Sequence, residues 1–154
     1  MRVKFSVDPN GWSPVVSLYR YFTWSETMRV KFHELASDLL EGKPPVPEVE
    51  WQDPTIQEIF AYMSFWYGAL FVVIEGWKQL RLKDGPVELL LSFTNVDLLK
   101  RYRNGTFHFQ RHYFDSRLVA FVELGADNYV WADVLSDKLG DYFDRWHAAH
   151  TPDG

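Results

Sequence analysis

Three side chains set close together in the chain have the chemistry to work on a phosphodiester: Arg103, Asn104 and His108. An arginine holds phosphate oxygens through a planar, charge-assisted fork. A histidine moves a proton near neutral pH. Cleavage without a metal needs both. They stand in the run Arg101-Tyr102-Arg103-Asn104-Gly105-Thr106-Phe107-His108-Phe109-Gln110-Arg111-His112, with Lys100 just before it and no acid between Asp97 and Asp115. In a chain of net charge −5 that is a local reversal of sign. On a helix, Asn104 and His108 would be i and i+4 on one face, with Arg101 nearly eclipsing His108. Arg103 would lie about 100° to the side of Asn104, its long stem able to swing into the same cleft. Gly105 would let a ligand backbone come close.

The local signals around this run divide. Asn104-Gly105 is a strong hairpin dipeptide, and Arg101 to His112 partly alternates aromatic with polar. Against that, Thr94-x-x-Asp97 reads as a capping box, and the Leu98-Leu99 pair follows it, which favours a helix continuing through the run.

Other helices have their own start signals. Ser13-Pro14 supplies an N-cap and a first-turn proline. The helix it opens runs to Leu40, with an apolar stripe of Met28, Phe32, Leu35 and Leu39 and a break expected near Thr23 to Glu26. A strand or arm is expected before it, and a proline-rich connector after it, over residues 43 to 52. Asp53-Pro54 opens a second helix by the same logic. Within it, Ile59 to Ile74 is sixteen residues without a charge. A membrane span needs ~20, so a central helix apolar all round is the expectation. One protomer would not cover such a helix fully, which points to a homodimer. Ser64 and Gly68 would allow close helix approach, and Glu75 either ends the run or orients a motif arginine. Lys83 to Pro86 is a turn before a short apolar piece, Val87 to Leu91. Asp115 or Ser116 caps a short helix over 118 to 124, closed by Gly125. Asp127 caps the last helix, with a buried stripe of Trp131, Val134, Leu135, Leu139, Tyr142, Phe143 and Trp146, Gly140 on its polar side, and fraying from Thr151.

The motif Arg103-Asn104-x-x-x-His108 resembles the R-polar-x(3–5)-H signature of the HEPN superfamily. The lead-in Asp97-Leu98-Leu99-Lys100-Arg101-Tyr102 and the following Phe107-His108-Phe109-Gln110 are similar too, over about residues 94 to 124. The resemblance implies one all-α, up-and-down, HEPN-like bundle of four to six helices over residues 1–154. It implies a homodimer in which both arginines and both histidines line one cleft. The activity it implies is a metal-independent RNA endonuclease, a toxin or phage-defence component with a cognate antitoxin or regulatory protein. His108 would be general base or acid, Arg103 would stabilise phosphate charge, and Asn104 would orient His108 or the phosphate. Lys100, Arg101 and Arg111 would bind flanking phosphates. Tyr102, with Phe107 and Tyr113, could stack bases. The alternative is a non-catalytic HEPN-like module that holds a nucleotide, an RNA or a protein.

Each residue also has a plain reading. A histidine among aromatics is more often packed core than catalyst, Phe107 is more often core, and the cations are equally a solvated face. The acidic balance excludes a general nucleic-acid coat, so any contact is local. The aromatic share of 18 %, with Trp 7 and Phe 12, exceeds what a small core needs and suggests a pocket or interface. With no cysteine, disulfides and thiolate metal sites are excluded, and an intracellular, cytoplasmic home fits. The N-terminal residues do not read as a secretion signal. His33-Glu34-Leu35-Ala36-Ser37 lacks the second histidine of a zinc-protease helix. His108 and His112, at i and i+4, could share a metal only if a carboxylate came near, and His147 with His150 lies at a fraying end, so neither a metal nor another cofactor is expected. Phosphate loops and serine-hydrolase elbows are absent.

Overall fold

The computed structural model describes residues 13–40, 50–123 and 126–150, and everything described is helix or the turns between helices. The elements are α1 (Pro14–Leu40), α2 (Pro54–Gln79), α3 (Gly85–Leu91), α4 (Asn95–Phe107), α5 (Ser116–Glu123) and α6 (Ala126–His150). The expected all-α class holds for the described residues. The expected N-terminal arm, most of the proline-rich connector, Gly125 and the tail from Thr151 lie outside the described residues.

Several helix starts follow directly from the local sequence. The Ser13 hydroxyl accepts the Val15 N–H at 3.3 Å. Asp53 caps α2, taking the N–H of Thr55 at 2.8 Å and that of Ile56 at 3.4 Å. Asp84 caps α3 ahead of Pro86. These carboxylates satisfy amides that the first helical turn leaves without partners. Two local expectations are corrected. The helix α1 passes through Thr23 to Glu26 unbroken, because the Ser25 hydroxyl is buried and donates to the carbonyl of Trp66 on α2. The capping box at Thr94 does not form, since Thr94 is already in helical geometry and its side chain caps nothing.

The second helix is the axis of the bundle. Trp66, Leu70, Val73, Ile74 and Trp77 are sealed. Leu18 of α1 meets Gly76, while Ser25 and Phe32 meet Trp66, so α1 and α2 run antiparallel. Tyr19 and Phe22 meet His147 and Phe143, while His33 meets Asp133, so α6 is antiparallel to α1 as well. In α6 the expected stripe holds except at Val134, which is exposed, and Gly140 packs toward Phe22 rather than facing away from the core. By length and composition α2 could cross a membrane; half of its most apolar window is buried inside the bundle. The covering is incomplete on one side, where Phe65 is 49 % exposed.

The helix that carries the motif, α4, lies against α2 through Tyr102 and Phe107. The Tyr102 hydroxyl is 2.7 Å from that of Ser64, and its ring sits edge-on to Tyr67. A β-carbon at Gly68 would come within 2.4 Å of the Phe107 ring. Glycine there lets the ring lie on the α2 backbone. The start of α4 is tied down by Asn95, whose amide donates to Asn128; buried Asn128 in turn donates to the carbonyl of Phe121 on α5.

Candidate functional site around Arg103 and His108

The motif helix ends one residue before His108. Phe107 is its last residue, and His108 turns into extended geometry at φ −123°, ψ 130°. The stretch is therefore neither a hairpin nor a helix running through His112. The i, i+4 facing of the Asn104 and His108 side chains is replaced by a backbone link. The His108 N–H donates to the Asn104 carbonyl at 3.1 Å, and its own carbonyl accepts from the Gln110 side chain at 2.6 Å. The imidazole is exposed and makes no hydrogen bond among the described residues. His108 is thus not a packed core histidine.

Asn104 holds both neighbours of the motif. Its side-chain oxygen accepts from Arg103 Nη1 at 3.1 Å, and its carbonyl accepts from His108. Arg103 itself is half-buried. It shares a cavity of about 390 Å³ with Tyr21, Trp24, Phe65, Val72 and Phe107. Its Nε is buried and finds no acceptor, and among the described residues no carboxylate pairs with it. A cation that is partly desolvated and lacks a counter-ion is costly, because neither water nor a carboxylate repays the lost hydration. An anion in that cavity would supply the missing counter-ion.

The flanking cations are placed differently. Lys100, Arg101 and Arg111 are exposed and, among the described residues, form no ion pair. Tyr102 is buried, its ring edge-on to Tyr67 and near Phe121, so although it lines a cavity its ring is not an exposed stacking surface. Burial pushes that phenol up to about 12, opposed by the hydrogen bond with Ser64. Phe107, expected in the core, is 49 % exposed beside Phe65. Gly105 does not open a path for a ligand. A β-carbon there would meet Leu118 at 2.9 Å and Arg117 at 3.1 Å, so the glycine admits α5 instead. Glu75 is exposed, and among the described residues no arginine pairs with it.

Sequence reasoning missed two features. Trp24 and Phe65, from α1 and α2, surround Arg103, and no local pattern joins them to the motif. A polar network also binds α1 to α6: Arg29 pairs with Asp133 at 2.8 Å, Asp137 at 2.6 Å and Glu26 at 3.2 Å, while His33 bridges Asp133 and the Tyr129 hydroxyl. Among the described residues no group of three or more His, Asp or Glu is arranged to hold a metal ion. His112 lies in the loop after α4, so its helical spacing from His108 no longer applies.

No family model, no curated protein and no solved structure matches the chain.

Proposed function

We propose that the chain is a metal-independent RNA endonuclease of HEPN type, acting as a homodimer in the cytoplasm. The observation that carries this reading is Arg103: a half-buried guanidinium with an unmatched Nε, tied through Asn104 to an exposed histidine. Phosphate is the anion whose geometry the guanidinium fork fits.

In this reading His108 of one protomer takes the proton from a ribose 2′-hydroxyl. The 2′-oxygen attacks phosphorus, the bond to the 5′-oxygen breaks, and the leaving oxygen takes a proton from His108 of the partner subunit. Arg103 balances the charge that develops on the non-bridging oxygens. Lys100, Arg101 and Arg111 hold flanking phosphates, and the products carry a 2′,3′-cyclic phosphate and a 5′-hydroxyl. The face assigned to self-association is the apolar one around Arg103, where Trp24, Phe65 and Phe107 are each about half exposed. A contiguous exposed apolar patch is the usual mark of an interaction surface. The setting as a toxin or phage-defence component, with a cognate antitoxin or regulatory protein, rests on the resemblance alone.

A second reading has its own observation. The His108 ring has no hydrogen-bonded neighbour to fix its tautomer, and it lies beyond the helix that holds Arg103. That arrangement suits a non-catalytic module that binds a nucleotide, an RNA or a protein through Arg103.

The test is product chemistry. Purified protein is incubated in chelator with a mixed RNA and with its 2′-deoxy counterpart. The reading predicts cleavage of the RNA only, with 2′,3′-cyclic phosphate ends. Cleavage of the deoxy strand, or activity abolished by the chelator, overturns it. Tight RNA binding without cleavage by the dimer favours the module.

A further inference from the structure

A second cavity, of about 320 Å³, opens between the first half of α2, the loop after α4 and α5. Rings of Trp51, Phe60, Tyr113 and Phe114 line it together with Leu118, Val119 and Val122 of α5. Trp51 stands 5.4 Å from Phe60 at 38° and 5.6 Å from Phe114 at 79°, measured between centroids. No charged side chain lines it, so its occupant is a neutral group. The size is at the lower end for small-ligand sites.

Its polar groups are few and incompletely used. Ser64 and Tyr102 share one hydrogen bond, which consumes one of their two hydroxyl hydrogens. The other hydrogen remains as a donor. The Gln57 amide nitrogen donates to the Tyr113 hydroxyl at 2.7 Å and to the Trp51 carbonyl. Its side-chain oxygen accepts nothing among the described residues. An aliphatic or phenyl side chain entering here would leave that donor and acceptor unmatched, which disfavours it. A flat heteroaromatic ring satisfies both the walls and the polar edge.

The surroundings indicate where such a ring comes from. The loop that carries exposed Arg111 leads straight into Tyr113 and Phe114, which line the cavity. A neutral, partly aromatic pocket whose lining residue Tyr113 follows exposed Arg111 by two positions matches one nucleotide unit, with the base inside and the phosphate outside. We infer that this cavity takes a single unstacked nucleobase of an RNA strand. The inference rests on reading this face as RNA-binding, and it supplies that reading with a base site.

The test is saturation-transfer NMR on the full chain with adenosine, guanosine, cytidine and uridine. These are neutral and lack phosphate, so the result does not depend on whether the protein cleaves RNA. p-Cresol serves as a probe for a protein side chain. Trp51→Ala removes a wall and Val122→Phe fills the space; both positions are well exposed, so the fold is kept. At least one nucleoside should transfer at its base protons, weakened about tenfold or more in both variants and unchanged in Lys138→Ala on α6, far from the cavity lining. A dinucleoside monophosphate should bind about tenfold more tightly than its nucleoside, with the gain lost in Arg111→Ala or in high salt. The inference is overturned if no nucleoside binds, if p-cresol binds in their place, or if both pocket variants bind as the wild type does. Equal affinity for nucleoside and dinucleotide overturns the assignment to a strand.

Discussion

A guanidinium whose Nε is buried without an acceptor works against the fold it sits in. Arg103 is in that position, with Asn104 as its only hydrogen-bonded neighbour among the described residues. Replacing it with methionine keeps the apolar stem and removes the unmatched charge. Chemical denaturation should find Arg103→Met as stable as the wild type, or more stable by up to about 1 kcal/mol, while phosphate and RNA binding are lost. A loss of more than about 1 kcal/mol would show that Arg103 serves the core and not a ligand. Tyr102 leads to a pH prediction. Burial raises its folded-state pKa to about 12, above the ordinary tyrosine value of 10.0. The folded state therefore keeps a proton that the unfolded chain releases. Its contribution is fully present below about pH 10 and is lost as pH rises towards 12. Tyr67, more strongly raised by burial, acts in the same direction. Thermal melts should be insensitive to this pair up to pH 9 and fall steeply from pH 10, and Tyr102→Phe should make that fall shallower. An equally steep fall in the variant would remove Tyr102 from the account.

At the scale of elements, the starts of α2 and α4 differ in a way that mutation can read. Asp53 bonds two free amides, whereas Thr94 caps none. Asp53→Ala should cost about 1 kcal/mol, and Thr94→Ala close to nothing. Equal costs would contradict the cap geometry. The same pair shows what was legible beforehand. Ser13-Pro14, Asp53-Pro54 and Asp84 ahead of Pro86 announce helices because capping is local chemistry, resolved within one turn. The end of α4 was not legible. Asn104-Gly105 reads as a hairpin, and Thr94 with the leucine pair reads as a helix running on. Neither local signal contains Gly68, on which Phe107 rests, or Leu118 of α5, against which Gly105 packs. The residue types of the motif were readable from spacing. Their placement was not, because His108 leaves the helix at a point that tertiary contacts decide. The same holds for Trp24 and Phe65, which come to Arg103 from two other helices.

At the scale of the molecule, two devices act beyond the aromatic core. The first is Arg29, whose side chain is only 12 % exposed and which gathers Glu26, Asp133 and Asp137 between α1 and α6. Arg29→Met leaves two partly buried carboxylates, Glu26 and Asp133, facing exposed Asp137 and should cost about 1–2 kcal/mol, seen as a lower denaturant midpoint with helicity intact at the start. An unchanged midpoint would mean that the network is solvent-screened. The second is the apolar face formed by Trp24, Phe65 and Phe107. Phe65→Glu places a charge in its centre and should convert a dimer to a folded monomer in light scattering, with RNA cleavage lost at the same time. A dimer that survives the change would move the interface elsewhere. The central claim, that Arg103 and His108 act together on a phosphodiester, is tested most directly by one comparison. Wild type, His108→Ala and Arg103→Ala, matched in circular dichroism and oligomeric state, are assayed side by side on one RNA in chelator. The wild type should cut, and each variant should lose at least about a hundredfold in rate. Equal cutting by all three would contradict it.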